Sequence, residues 1–110
     1  MSRRAARQDG NHQAVVQALL EHDCSVANTH QIGGGFPDIA VGFQTRSGEC
    51  RTILIEIKDG SLPASRRRLT PDEAKWHSAW KGGVYTVHSP RQAVEIVFDL
   101  QLRGCNAEQD

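Results

Sequence analysis

Long apolar runs, aromatic residues and an excess of charge of either sign are all scarce in this 110-residue chain. No stretch approaches the roughly 20 apolar residues that a membrane-spanning helix needs. The first residues are basic but lack the apolar segment of a secretory signal, so we expect a cytoplasmic protein. Aromatics make up only 5% of the chain, so aliphatic side chains must build most of one modest core.

The cysteines are too few and too widely spaced for a zinc site. Cys24, Cys50 and Cys105 contain no C-x-x-C pair, and the histidines do not join them at zinc-finger spacing. Reduced, idle thiols are the favoured interpretation. The 13 basic and 13 acidic residues give zero formal charge, which counts against a protein that coats nucleic acid non-specifically. An enzyme with a few local contacts is not excluded.

Apolar periodicity and turn residues predict the element order αβββαβα. A helix is expected over residues 11–21, with Asp9 as N-cap. One helical face is expected to carry Ala14, Val15, Ala18 and Leu19, with His22 as a further candidate. Strands are expected over residues 24–28, 38–43, 52–58 and 84–87. This order predicts an α/β domain with a mixed central sheet flanked by helices.

Capping signals place the two later helices. Thr70, Pro71 and Glu73 combine a capping box with a proline at the first helical position, and that helix should run to about Lys81. The last helix should start after Ser89. Residues 1–8 are expected to form a flexible basic N-terminus, residues 9–103 a single domain and residues 104–110 a polar tail.

Two strands each carry one face for packing and one for chemistry, because side chains alternate along a strand. In residues 53–58 three isoleucines share one face, whereas Glu56 and Lys58 share the other. Asp38 lies on the same face of its strand as the small Ala40 and Gly42, and the bulky side chains of that strand lie on the other face. Each strand therefore presents polar groups on the face that it does not use for packing.

A simple hairpin register brings the carboxylates together. If the turn is centred on Ser47, Asp38 lies opposite Glu56 with Cβ atoms about 4.5–5.5 Å apart. Such carboxylates repel unless a proton or cation intervenes, and hard oxygen ligands suit Mg²⁺ or Mn²⁺. Lys58 could orient a water or offset negative charge. The alternative is a solvated strand face with an ordinary Glu56–Lys58 contact.

The text around these residues resembles a known family. Pro37-Asp38 followed by Glu56-Ile57-Lys58 is similar to the PD-(D/E)XK nuclease superfamily, and most similar to the compact stand-alone VRR-Nuc domains of phages and prophages. The match includes the glycines before Pro37, the run L-T-P-D-E that ends at Glu73, and Trp76-His77. Its order and spacing extend over residues 9–98.

This resemblance implies a restriction-endonuclease-like fold and a metal-dependent DNA endonuclease. Asp38, Glu56 and the main-chain carbonyl of Ile57 would hold Mg²⁺ or Mn²⁺, and Lys58 would position the attacking water. The family implies branched DNA such as Holliday junctions as substrate, a homodimer, and a bacterial or phage-infected cell. Neither a membrane nor a nucleotide cofactor is expected. The alternatives are a simple phage DNA nicking nuclease, or a non-catalytic DNA-binding or assembly module that retains the nuclease fold.

Two positions depart from the family pattern. His12 falls where a glutamate or glutamine of the first helix often faces the metal, so it could be a metal-side ligand, a phosphate contact or a surface residue. Glu73 stands where glutamine is common in the helix after the E-x-K strand. The capping box accounts for Glu73 without catalysis, and this interpretation is favoured.

Several further residues are candidates for DNA contact. Arg66, Arg67 and Arg68 form the best phosphate-contact patch, and Arg3, Arg4 and Arg7 could add an arm. Gly34 and Gly35 are expected to form a flexible rim that lets a DNA backbone approach closely. Trp76 and Trp80 lie four residues apart on one helical face. Core packing is the expected role of that pair, with base stacking as the alternative, and His77 beside it is a weaker candidate.

Overall fold

Residues 11–103, which are those described by the computed structural model, form four strands and three α-helices. These elements are α1 (His12–Glu21), β1 (Ser25–Asn28), β2 (Ile39–Gln44), β3 (Cys50–Ile57), α2 (Pro71–Ala79), β4 (Val84–Val87) and α3 (Pro90–Arg103), with a 3-10 turn at Ala64–Arg66 before α2. The predicted order is confirmed. The expected basic N-terminus with Arg3, Arg4 and Arg7, and the polar tail with Cys105, lie outside the described residues.

The strands form one mixed sheet in the order β1-β2-β3-β4, as predicted. β2 is antiparallel to both β1 and β3, whereas β4 is parallel to β3. The β2–β3 ladder runs from Gln44 opposite Cys50 to Ile39 opposite Ile55. One residue further along this ladder is the pair Asp38 and Glu56, so the predicted hairpin register is confirmed.

One apolar core lies between the sheet and the two helices α1 and α3. It is lined by alternate residues of the strands and by inward positions of the helices, chiefly Ile39, Val41, Ile53, Ile55, Ile57, Val87, Val15, Leu19, Ala93 and Val97. Phe43 and Cys24 complete the core, and its mainly aliphatic composition agrees with the shortage of aromatic residues. None of the helices within residues 11–103 has the length and apolarity needed to cross a bilayer.

The inward face of α1 differs from the predicted one. The helix begins at His12 with Asn11 as its N-cap, so the prediction of Asp9 as N-cap is wrong. Its buried residues are His12, Val15 and Leu19, whereas Ala14 is exposed. This row follows the 3.6-residue repeat. Val15 and Leu19 are buried as predicted, and the buried row extends back to His12 instead of including Ala14.

α2 contacts the rest of the domain through only a few side chains. It opens with the predicted capping box and Pro71 at its first position, ends at Ala79 rather than near Lys81, and has no buried residue. The prediction that the two tryptophans pack into the core is wrong: Trp76 is only half-buried and Trp80 is 46% exposed. The physical reason is that α2 lies away from the core face of the sheet and meets the domain through a few side chains of its first two turns.

Candidate active site

Asp38 is anchored where main-chain pairing between β2 and β3 ends. Its amide donates to the carbonyl of Ile55 at 3.0 Å, and its Oδ2 accepts a hydrogen bond from the amide of Ile57 at 2.7 Å. The carboxylate thus takes the place of a main-chain acceptor in the ladder. Because the N–H and C=O of one strand residue point to the same side, the carbonyl of Ile57 also points towards Asp38.

Glu56 is a buried carboxyl group with incomplete hydrogen bonding. Its residue is 2% exposed, and its Oε1 has no hydrogen-bond partner. Burial, followed by the charges of Asp38 and Glu73, raises the pKa of Glu56 to about 9, and the opposing charge of Lys58 does not compensate. Without a cation, Glu56 therefore carries a proton at neutral pH.

Lys58 lies between two carboxyl groups. Its Nζ is 2.8 Å from Oε1 of Glu73 and 3.5 Å from Oε2 of Glu56. Burial opposes the charged form, but the hydrogen bond from Lys58 to Glu73 and the charges of both glutamates outweigh it and raise the pKa of Lys58. Lys58 is therefore an ammonium group over the whole physiological pH range. It acts as a donor and a positive charge rather than as a base.

Glu73 links α2 to this lysine. The same Oε1 that accepts from Lys58 also accepts from the amide of Thr70 at 2.9 Å, and the hydroxyl of Thr70 accepts from the amide of Glu73 at 3.2 Å. Burial opposes the charged form of Glu73, but the hydrogen bonds from Lys58 and from the amide of Thr70, together with the charge of Lys58, outweigh it and lower the pKa of Glu73. The predicted capping role is confirmed, but capping is not the only role of this side chain. Glu73 also holds Lys58 in place.

The cluster of Asp38, Glu56, Lys58 and Glu73 offers a limited set of metal donors. No group of three or more His, Cys, Asp or Glu side chains arranged to hold a metal ion occurs in residues 11–103. The donors that the cluster does offer are two carboxylates and the carbonyl of Ile57. All are hard oxygens of the kind that Mg²⁺ and Mn²⁺ prefer. The unpartnered Oε1 of Glu56 is a buried acceptor that such an ion would satisfy.

His12 is a buried residue of α1 that contacts Asn28 and His30. It is 1% exposed, its Nε2 is 2.8 Å from Oδ1 of Asn28, and its ring meets that of His30 edge to face at a centroid distance of 5.4 Å. If Nε2 donates to the amide oxygen of Asn28, Nδ1 is left as a lone pair. That atom is buried and has no hydrogen-bond partner. The surface-residue interpretation of His12 is therefore wrong.

The candidate DNA-contact residues are of two kinds, accessible ones and ones that are engaged in contacts within the chain. Arg66 and Arg68 are exposed, whereas Arg67 is partly buried and donates from Nε to the carbonyl of Leu62 at 2.9 Å. Gly34 has open space around it, but a side chain at Gly35 would meet the main-chain oxygen of Asp72 at 2.4 Å. Gly35 therefore supports the start of α2, while Gly34 is free to form a rim.

His77 contributes a buried nitrogen that sequence reasoning had ranked low. Its Nε2 is buried without a hydrogen-bond partner, and burial lowers the pKa of its imidazole, against the charge of Glu73. The sequence signal that could have indicated His77 is its spacing, since it lies one helical turn after Glu73 on α2.

A shallow cavity of about 310 Å³ lies away from the cluster, at the hairpin end of the sheet, and is lined by Gly42, Arg51 and their neighbours.

No protein-family model, curated protein or solved structure matches this chain. A proposal for the function of this chain therefore rests on the geometry of the cluster and on the motif resemblance.

Proposed function

We propose that this chain is a divalent-metal-dependent endonuclease that hydrolyses phosphodiester bonds in DNA. Asp38, Glu56 and Lys58 are its catalytic residues, and Mg²⁺ or Mn²⁺ is its cofactor. The observation that carries the proposal is the buried Oε1 of Glu56, which has no partner and lies beside a second carboxylate. A buried polar atom needs a partner, and a cation that replaced the proton of Glu56 and bound both Asp38 and Glu56 would supply one.

Three groups would hold the ion: the carboxylates of Asp38 and Glu56 and the carbonyl of Ile57. When bound, a divalent ion acidifies water and stabilises the negative charge that develops on phosphate. Glu56 must release its proton to act as a ligand, so metal affinity should rise with pH. His12 is an accessory candidate because its Nδ1 is an unpartnered acceptor.

Lys58 would act on the phosphate and on the attacking water. Its ammonium group can donate to a non-bridging phosphate oxygen or hold a water molecule in line with the phosphorus. Glu73 restrains the long lysine side chain, so less rotamer freedom is lost when the substrate binds. Exposed Arg66 and Arg68 would contact phosphates further along the DNA backbone.

The motif resemblance supports the finer parts of the proposal. It favours a restriction-endonuclease-like core, branched DNA such as a Holliday junction as substrate, and a phage or prophage setting. One domain carries one such cluster and cuts one strand. Because resolving a junction takes two cuts, a symmetric homodimer is the assembly that fits this substrate.

Cleavage of labelled duplex, flap and four-way DNA in Mg²⁺ or Mn²⁺ tests the proposal. We expect wild-type protein to cut at least one substrate and Asp38→Ala to fall to background. Lys58→Ala should lose roughly 10²- to 10³-fold in rate, as expected for removal of one group that stabilises the transition state.

Glu95→Gln is the matched control, since Glu95 is an exposed carboxylate of α3 paired with Arg91. It should cleave at the wild-type rate. Equal cleavage by Asp38→Ala and wild type would refute the site. Binding of all three DNAs by wild type without cleavage of any would instead support the non-catalytic binding module.

A further inference from the structure

Three aromatic rings form a ladder along one side of α2. Phe36 meets Trp76 edge to face at a centroid distance of 4.9 Å, and Trp76 stacks on Trp80 at 4.7 Å with an interplanar angle of 17°. A side chain at Gly82 would approach the indole nitrogen of Trp80 to 2.7 Å. The glycine therefore leaves room for this ring. We call Phe36, Trp76 and Trp80 the aromatic ladder.

Core packing does not account for the ladder. No residue of α2 is buried, and Trp80 is 46% exposed. The chain has only two tryptophans. Trp76 stands on this weakly anchored helix and Trp80 is its C-cap, and neither belongs to the core. Leaving a large aromatic surface in water forgoes the gain that its burial would bring. A role in binding explains the arrangement better than a role in stability.

The ladder begins at the candidate active site. Phe36 precedes Asp38 by two residues, and Trp76 lies one helical turn beyond Glu73, which is 2.8 Å from Lys58. From Glu73 to Trp80 the helical rise is roughly 10 Å, comparable with about three stacked nucleotides at about 3.4 Å each. Bases stacked on the ladder would lie within a few nucleotides of a phosphate held by Lys58.

The charges around the ladder suit a nucleic acid strand. Exposed Lys75 and Lys81 are the sequence neighbours of Trp76 and Trp80, and exposed Arg66 and Arg68 precede α2. The first turn of α2 has two acidic residues, of which Glu73 is paired with Lys58 and Asp72 is exposed. Cations next to stacked aromatic rings form the usual surface for single-stranded nucleic acid, because the rings stack on bases while the cations contact phosphates.

We propose that the aromatic ladder binds unpaired bases of a DNA single strand and so directs the enzyme to substrates that carry such a strand at the cut. This inference rests on the proposed nuclease function and narrows its substrate to DNA with unpaired nucleotides, such as flaps or opened branches. Stacking ignores base identity, so the preference is for strand structure and not for sequence.

Intrinsic tryptophan fluorescence is a direct probe, because both tryptophans of the chain belong to the ladder. The full chain in EDTA, where no metal-dependent cleavage occurs, is titrated with a 12-nucleotide oligo-dT and with an abasic strand of equal length. We expect oligo-dT to quench the emission and to bind more tightly than the abasic strand. Equal binding without quenching by either strand would overturn the inference.

Substitution separates stacking from charge. Trp80→Ala should bind oligo-dT at least about fivefold more weakly, since one base stack accounts for a factor of that size or more. Trp80→Phe keeps a ring and should recover most of this loss. Phe98→Ala is the matched control, because Phe98 is a 52% exposed aromatic residue on α3, and it should bind like wild type. Equal losses in Trp80→Ala and Phe98→Ala would contradict a ladder-specific site.

Cleavage distinguishes failure of the ladder from failure of the nuclease. If wild type cuts DNA but Trp80→Ala cuts flap and fully paired duplex with unchanged KM, the nuclease stands and the ladder proposal fails. If oligo-dT quenches the fluorescence but no DNA is cut, the ladder binds DNA and the nuclease proposal fails. A concentration-dependent emission shift without oligonucleotide, together with no response to oligo-dT, would assign the ladder to a contact between two copies of the chain and overturn the proposal.

Discussion

At the residue scale, Glu56 is the group of the cluster whose pKa is moved furthest from its ordinary value. Its protonated form suits the buried site, whereas its ionised form faces Asp38 across the ladder with one oxygen unpartnered. Because the pKa is about 9 in the folded chain against 4.5 for the free side chain, the folded state binds more protons between these limits. Folding stability of the metal-free protein should therefore fall as pH rises through this window.

Replacement of Glu56 by glutamine tests this linkage. Glu56→Gln imitates the protonated carboxyl group, so its free energy of unfolding without metal should match that of wild type near pH 5 and exceed it at pH 8. The wild-type slope is at most about 1.4 kcal/mol per pH unit. Urea unfolding in EDTA at several pH values measures it. Addition of Mg²⁺ or Mn²⁺ at pH 8 should stabilise wild type and leave Glu56→Gln nearly unchanged.

The control for this experiment is again Glu95→Gln. An exposed carboxylate paired on the surface contributes little to stability, so this variant should keep the wild-type pH slope. A Glu56→Gln variant that is less stable than wild type at pH 8 in EDTA would show that the ionised carboxylate is favoured in the fold. The account of Glu56 as a cation-dependent group would then be wrong.

At the scale of elements, α2 is positioned by two small features of its first turn. The carboxylate of Glu73 reaches Lys58, and the main chain of Asp72 lies against Gly35. Gly35 has a φ of +87°, which side chains other than glycine rarely adopt. The loop before β2 and the start of α2 therefore pack together, and both lead into the candidate active site.

Gly35→Ala should destabilise the fold more than Gly34→Ala. Both glycines have positive φ, so each substitution costs roughly 1–2 kcal/mol in backbone conformation. Only at Gly35 does the new methyl group also meet main-chain atoms, at 2.4 Å, which adds roughly 1–3 kcal/mol of overpacking. Urea unfolding compares the two variants.

Limited proteolysis adds a local measure for the same pair. Displacement of α2 by Gly35→Ala should speed cleavage between residues 59 and 70, whereas Gly34→Ala should follow wild type. Equal stability of the two variants would mean that Gly35 does not support α2. The position of α2 would then depend on the contact between Glu73 and Lys58.

At the scale of the whole molecule, the number of clusters per chain limits the proposed reaction. The described residues contain a single cluster of this kind, formed at the ends of β2 and β3. Resolution of a four-way junction therefore requires two copies of the chain with their clusters facing opposite strands. A nicking nuclease requires only one copy.

Sedimentation equilibrium decides between these assemblies. For a junction-resolving enzyme we expect a mass of about twice 12.1 kDa at the concentrations that cut four-way DNA, with paired, symmetric cuts. A monomer that leaves single nicks would contradict the resolvase proposal and support the nicking alternative. Asp38→Ala serves as the control, since it should lose cleavage and keep the wild-type mass.

Much of the fold followed from local patterns. Alternation along β2 and β3 predicted their packing faces and the hairpin register, because a strand repeats every two residues and a tight turn sets the pairing. Thr70, Pro71 and Glu73 predicted the start of α2, because capping depends on groups three residues apart. The start of α1 was predicted less accurately, since asparagine and aspartate are both common N-cap residues and Asn11 and Asp9 lie two positions apart.

The candidate site was only partly accessible from sequence. Periodicity put Glu56 and Lys58 on one face and brought Asp38 opposite them, but it did not give the burial of Glu56. It also could not show that Glu73 meets Lys58, fifteen residues away. Contacts between distant residues depend on how α2 packs, and α2 has no apolar row from which that packing could be predicted.

Local sequence, then, determined the elements, their faces and the pairing of β2 with β3, since these depend on residues close together in the chain. Tertiary structure decided that Glu56 is 2% exposed, that Lys58 is held between two glutamates, and that Trp80 stays in solvent. The physical reason is that exposure and electrostatic environment are set by the packing of α2 and the loop at Gly35 against the sheet, and packing is a property of the assembled chain.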